Sequence, residues 1–211
     1  MDVLSDMLTP AEAAAVADVP VRDVHRVIDE RLLPEALYSL GGARRIHAAA
    51  CPLIAFYNGA AGLLTAEERV KIVAVVGERI QAADGTGSHP EEAVVDGFLT
   101  VDLAPFFART RARRERLAEA EASVAEDPSI LGGTPVLQGT RTPVHDVARS
   151  LELFPLERVL KAYPGLTADG AELARLYAKA HPPRGRPRRL AGRPDGAVLV
   201  EERRVTRRRV A

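Results

Sequence analysis

The residues whose placement bears most on chemistry are arginines. Between Val21 and Arg31 the apolar side chains Val24, Val27 and Ile28 recur at helical spacing, which leaves Arg22, His25, Arg26 and Asp29 on the opposite face. Guanidinium groups in such a row can clamp phosphates or reach guanine edges in a major groove. Arg44 and Arg45 follow a double glycine, at the base of an expected hairpin. Cations there would bind phosphate, which positions a protein on a duplex without reading its sequence. A third group closes the chain, where Arg203, Arg204, Arg207, Arg208 and Arg209 flank Val205 and Thr206. A guanidinium pairs bidentately with carboxylates, so this group suits a partner pocket lined with acids. Only three lysines accompany twenty-six arginines. That skew reflects a GC-rich genome, so position, not abundance, carries the inference.

The elements that hold these cations are marked by caps and breakers. Thr9-Pro10-Ala11-Glu12 is a capping box with proline in the first turn, so a helix is expected over Ala11–Ala17. It breaks at Asp18-Val19-Pro20, and the second helix runs from Val21 to Arg31. A three-residue turn holds that second helix at an angle suited to groove entry, as a recognition helix. Beyond Leu33-Pro34, alternating apolar residues on both sides of Gly41-Gly42 predict a hairpin of Ala36–Leu40 with Ala43–Ile46, in the place of a wing. The segment from Leu8 to Tyr57 resembles excisionase-like and MerR-like winged helix-turn-helix domains, with Asp18 standing where the turn glycine is common.

The middle of the chain carries less chemistry. Thr65-Ala66-Glu67-Glu68 is a second capping box, and Val70, Ile72, Val73, Val76 and Ile80 extend a helix to about Ala83. A loop is expected at 84–90 and a strand at Phe98–Leu103. Arg109 to Val124 reads as a charged helix joining two modules, with Arg111, Arg113, Arg114 and Arg116 forming a solvated face.

From Asp127 to His181 the chain is organised by Gly, Thr and Pro. Gly132-Gly133 and Gly139 bracket Pro135-Val136-Leu137, predicting a brief hairpin or exposed edge. Thr142-Pro143 then caps and starts a helix with Val144, Val147, Ala148 and Leu151 inward. Pro155 opens a second helix with Leu156, Val159 and Leu160 inward, halted by Tyr163-Pro164, and Thr167 caps a third whose stripe is Ala171, Leu173, Ala174, Leu176, Tyr177 and Ala180. Three short helices on tight turns suit a helix-turn-helix bundle.

This stretch resembles the domain of unknown function 433. The residues that carry the likeness are Asp127-Pro128, Ile130, Gly132-Gly133, Pro135, Gly139-Thr140-Arg141, Pro143-Val144, Tyr163-Pro164 and Leu166-Thr167. Thr142 stands where that family usually has isoleucine, and Leu153 where it usually has a turn glycine. The resemblance implies a helix-turn-helix antitoxin, often of VapB type, with a PIN-domain ribonuclease as partner. Arg141, in the family's GTR motif, is expected to bind a carboxylate on a neighbouring helix and fix the hairpin. His145 is expected to be an exposed residue.

Composition narrows the remaining classes. At 211 residues and 46% apolar, the chain can bury a core as one large or two small domains. No apolar run approaches the ~20 residues that cross a bilayer, and MDVLSDMLTP has acids where a signal peptide has bases, so a cytoplasmic protein with no membrane partner is expected. Cys51 is expected to be a small buried residue. No Cys/His cluster has metal spacing, no glycine loop has the lysine of a P-loop, and the acids do not converge, so no metal, cofactor or catalytic residue is expected. Net charge is zero, yet from Arg184 onward ten arginines face Asp195, Glu201 and Glu202. That tail therefore carries an excess of +7.

The expected architecture is mainly α. It comprises a winged helix-turn-helix at 1–60, a helical connector with one possible strand at 61–125, a three-helix unit with a short hairpin at 126–182, and a basic tail at 183–211. The expected function is that of an antitoxin. Arg22, His25, Arg26, Arg44 and Arg45 would hold operator DNA, and the tail arginines Arg203, Arg204, Arg207, Arg208 and Arg209 would block a PIN-domain ribonuclease. A homodimer or a larger hetero-oligomer with the toxin is expected. The alternatives are a stand-alone transcriptional regulator, whose tail binds DNA phosphates or nothing specific, and a scaffolding subunit.

Overall fold

The computed structural model describes residues 6–82 and 92–183. The expected loop at 84–90 and the tail from Arg184, with Arg203, Arg204, Arg207, Arg208 and Arg209, lie outside the described residues. Those described are mainly helical, with eight α-helices and short antiparallel strands. No helix among them is long and apolar enough to cross a membrane.

Helix α1 (Pro10–Ala17) starts at its capping box: Thr9 N donates to Glu12 Oε2 at 2.7 Å and Glu12 N to Thr9 Oγ1 at 3.2 Å. Ala13 to Ala17 are all buried, so α1 is central, its small side chains admitting helices on several sides. Asp18 ends it at φ 56°. Aspartate tolerates the left-handed region, which is how this turn forms without glycine. Helix α2 (Val21–Asp29) buries Val24, Val27 and Ile28. It stops before Arg31, whose own φ of 51° is outside the helical region.

A 3₁₀ turn at Glu35–Leu37 leads into the hairpin of β2 (Tyr38–Ser39) and β3 (Arg45–His47), paired Tyr38↔Ile46 and Ser39↔Arg45. A further strand, β1 (Met7–Leu8), adds to the other side of β3 through Met7↔His47 and Leu8↔Ile46. Two residues carry no alternation, so nothing in the sequence marks it. Helix α3 (Cys51–Gly59) packs on α1, and α4 (Ala66–Ala82) starts at the Thr65–Glu68 capping box and packs on α3. At Gly77 helix α4 passes so close to Pro34 that an added Cβ would lie 2.3 Å from its Cγ.

The strand expected at Phe98–Leu103 is only β5 (Leu99–Val101), paired with β4 (Val94–Asp96). Gly97, at φ 61°, turns the hairpin and leaves Phe98 fully exposed at its tip. Helix α5 (Ala104–Ala122) follows. Its arginine run differs from a solvated face: Arg113 bonds Asp18 at 2.6 Å, Arg114 bonds both Asp6 oxygens at 3.0 and 2.9 Å, and Arg116 bonds Glu119 and Asp169. Apart from Glu119, on α5 itself, the partners come from other elements, which helical periodicity cannot show.

In the last unit β6 (Val124–Ala125) pairs β7 (Val136–Leu137) across the glycine-rich loop. The edge expected around Val136 is thus covered, and Val136 is fully buried. Helices α6 (Val144–Leu153), α7 (Leu156–Ala162) and α8 (Ala168–Ala180) complete it. Thr142 does not cap α6. The helix begins one residue later, with Pro143 at its N-cap, and Thr142 N donates to Thr140 Oγ1 at 3.1 Å. Thr167 does cap α8, accepting from Gly170 N at 2.9 Å. Leu153 stays within α6, and Phe154 turns the chain in extended conformation at φ −134°, so no glycine is needed there.

Two apolar clusters result. The first joins α1 to α4 with Leu103 and Leu117; the second gathers Ala120, Val144, Val147, Leu151, Val159, Ala171, Ala174 and Tyr177. Helices α5 and α8 belong to both, since Leu117 and Ala180 enter the first while Ala120 and Ala174 enter the second.

Candidate functional site

The cations on α2 are presented because its apolar stripe is buried beneath them. Arg22 is the most open, its side chain 84% exposed, with Asp23 at 3.6 Å. Arg26 is exposed one turn on and bonds Glu30 at 2.8 Å, an i,i+4 pair that solvent screens and a phosphate can replace. His25 lies between them, half-buried, and faces the hairpin.

The two hairpin arginines differ. Arg45 is exposed on β3. Arg44 is half-buried and already engaged: one guanidinium nitrogen is 2.7 Å from Asp29 Oδ1 and another 3.2 Å from His25 Nδ1. Of the five residues singled out, the fold therefore joins His25 and Arg44, and Arg44 works as a tether that sets the hairpin against α2. Asp29 was placed among the outward residues of that face, yet its pairing with Arg44 was not visible in the sequence.

A cleft of about 880 Å³ opens beside this face, between α1, α2 and β3 on one side and the last unit on the other. Glu12, His25, Arg45, Glu126, His145, Tyr177 and His181 line it. Tyr177 donates to Glu126 at 3.0 Å, and burial, with that carboxylate as the next cause, pushes its phenol up to about 12. His145 is not the exposed residue expected from the sequence. It is half-buried, its ring 6.0 Å from that of Tyr177, and burial holds its imidazole below the ordinary value. Of the lining residues, His181 sits between Glu12 and Glu121, the latter outside the lining. Neither acid had been singled out for this, because the three residues lie far apart along the chain. Cys51 is fully buried and desolvation pushes its thiol up to about 12, the state of an inert packing residue.

Residues 124–178 match the family described as "Protein of unknown function (DUF433)". The uncharacterized protein y4eO of Sinorhizobium fredii is 45% identical over 214 residues, spanning 99% of this chain and 97% of its own. The chain belongs to the family of y4eO and carries a DUF433 domain. No solved structure matches it.

Within the DUF433 domain the motif residues build turns. Asp127 Oδ1 accepts from Ser129 N at 2.8 Å and from its hydroxyl at 2.7 Å, which hold the carboxyl below its ordinary value. Gly132, Gly133 and Gly139 all take positive φ, between 66° and 82°. Thr140 Oγ1 donates to Leu137 O at 2.8 Å and closes the turn after β7. Arg141 differs from expectation: it is exposed, and among the described residues it bonds no carboxylate. The hydroxyls around it, not its charge, fix the loop.

Proposed function

We propose that this DUF433 protein is a DNA-binding antitoxin: its N-terminal unit grips operator DNA and represses its own transcription, and its basic tail inhibits a PIN-domain ribonuclease toxin. The observation that carries the DNA half is the pairing of α2 with the hairpin through Arg44 and Asp29. In this reading α1, the Asp18 turn and α2 act as a helix-turn-helix and the β2–β3 hairpin as its wing. Arg22 and Arg26 enter or flank the major groove, Arg45 binds a phosphate, and His25 and Arg44 hold the angle between them. Two such units spaced by about one DNA turn, ~34 Å, would give a dimer its half-sites.

The toxin half rests on the ten arginines beyond Pro183, set against three acids. One or more of Arg203, Arg204, Arg207, Arg208 and Arg209 would enter the toxin's carboxylate cluster and pair with the acids that otherwise hold Mg²⁺. A terminal strand of this kind can gain backbone hydrogen bonds by adding to a sheet edge on binding.

Co-purification with the product of the adjacent gene, followed by a ribonuclease assay, tests the partner directly. The full chain is expected to silence the nuclease and a chain ending at Leu190 to release it. Equal inhibition by both excludes the tail as inhibitor. The second reading, a stand-alone regulator, draws on Arg22, Arg26 and Arg45 all lying in the N-terminal unit, and is upheld if operator binding occurs with no nuclease partner.

A further inference from the structure

The turn between α1 and α2 is held from outside the N-terminal unit. Asp18 ends α1 at φ 56°, and Pro20, two residues on, is the N-cap of α2. Helix α2 has no side-chain cap, so the placement of its first turn, which carries Arg22, depends on the turn before it. The Asp18 carboxylate is gripped on both oxygens. Arg113 of α5 donates to Oδ2 at 2.6 Å, and Lys179 of α8 donates to Oδ1 at 3.0 Å. Glycine would take this backbone with less strain, so the turn itself does not call for an aspartate, whereas the two cations do. Apolar packing fills only part of the space behind the turn. A cavity of about 430 Å³, lined by Pro20, Asp23, Asn58 and Phe106, lies there, and Asp18 and Arg113 form part of its wall.

We propose that Asp18 is a positioning residue for DNA binding: clamped by Arg113 and Lys179, it fixes the α1–α2 turn and with it the angle at which α2 presents Arg22 and Arg26. This rests on the DNA-binding reading given above. All three clamp residues are half-exposed, so the two pairs add little to overall stability. Their effect on binding is separate from that, because a reader already held in its bound orientation loses less freedom when it docks. The first residues of a recognition helix are those that reach base edges, so a small tilt at this turn is felt where Arg22 stands. Through Lys179, α8 takes part in aiming the DNA-reading helix without touching DNA.

Charge gives the test its sign. Removing an acid strengthens attraction to a polyanion, so by charge alone Asp18→Asn would bind DNA more tightly. Loss of the clamp predicts the reverse. Affinity of the full chain for a duplex of its own upstream DNA is measured across a range of salt, for the native protein, Asp18→Asn, Lys179→Met and the double variant. Asp18→Asn is expected to bind at least ~3-fold more weakly, and the second substitution to add less than it does alone, as members of one network do. Lys179→Met is expected to weaken binding with the salt slope unchanged, since no phosphate contact is lost. Hydrogen exchange of the free proteins supplies a readout without DNA: in Asp18→Asn the amides of Val24 to Ile28 exchange faster, while those of α4, which does not meet the clamp, keep their rates. A native chain that binds no DNA at any salt overturns the DNA reading and this role together. Native binding with Asp18→Asn equal or tighter, a salt slope lowered in Lys179→Met, or α2 exchange unchanged relative to α4 overturns the positioning role alone.

Discussion

Single side chains in this protein do their work through partners that lie far off in sequence. Gly77 is the sharpest case of a residue set by one contact, because Pro34 occupies the space where its side chain would be. Alanine favours a helix over glycine by about 1 kcal/mol, but forcing a methyl against a stiff ring in a packed site costs about 1–3 kcal/mol. Gly77→Ala is therefore expected to lower the midpoint of urea unfolding; a raised midpoint would mean that Pro34 yields freely. Arg22, His25 and Arg26 could be placed from spacing alone, since a buried stripe fixes the opposite face. The tether between Arg44 and Asp29 could not, because the two lie on different elements and only the hairpin's approach to α2 joins them. Arg141 shows the converse: motif membership suggested an ion pair, whereas Thr140 and its turn supply the order.

Elements with a cap and a stripe were legible; elements without either were not. The capping boxes at Thr9 and Thr65 and the cap at Thr167 each mark a helix start to within a residue. Strands β1, β4 and β6 have two or three residues and take their stability from a partner, so no local period exists to be read. Helix α3 is apolar on nearly every side and α1 is buried around much of its circumference, which blurs a 3.6-residue signal. Thr142 was misassigned because threonine before proline suits both a cap and a turn; here Pro143 is the N-cap, and Thr142 lies in the preceding turn with its N–H donated to Thr140 Oγ1. At this scale Thr167→Ala is expected to destabilise the protein by about 1 kcal/mol through the lost α8 cap. Denaturant unfolding reads this directly, and an unchanged midpoint would show that the Gly170 N–H finds another acceptor.

The whole molecule is held across a seam of long-range charge pairs. Asp18, at the turn between α1 and α2, receives Arg113 of α5 at 2.6 Å and Lys179 of α8 at 3.0 Å. The hydrogen bond from Lys179, aided by the charges of Lys179 and Arg113, holds its carboxyl below the ordinary 3.8. A lowered folded value means stability that is fully present above the unfolded value and lost as pH falls through 3.8 toward the folded one. Asparagine also tolerates the left-handed backbone at this position, so Asp18→Asn removes the charge and keeps the turn. The stability gap between the native chain and Asp18→Asn is expected to narrow from pH 7 to pH 3 in urea titrations. A constant gap would show that the seam owes nothing to the carboxylate charge. These groups are half-exposed, so the effect is modest and shrinks further in high salt.

On the same scale, charged helix α5 looked like a connector because its partners are on α1, α8 and the N-terminal segment, none of which a helical wheel can contain. The Glu12–Glu121–His181 cluster escaped for the same reason. The proposed DNA-binding role requires that the face of α2 and its hairpin hold DNA through phosphates and groove contacts. Its most direct measurement is the affinity of the full chain for its own upstream DNA as a function of salt, for the native protein and for Arg22→Ala, Arg26→Ala and Arg45→Ala. A log–log plot of affinity against salt is expected to fall linearly, and to lose about one unit of slope for each phosphate-binding arginine removed. Binding that ignores salt, or that is the same in all three variants, would contradict it.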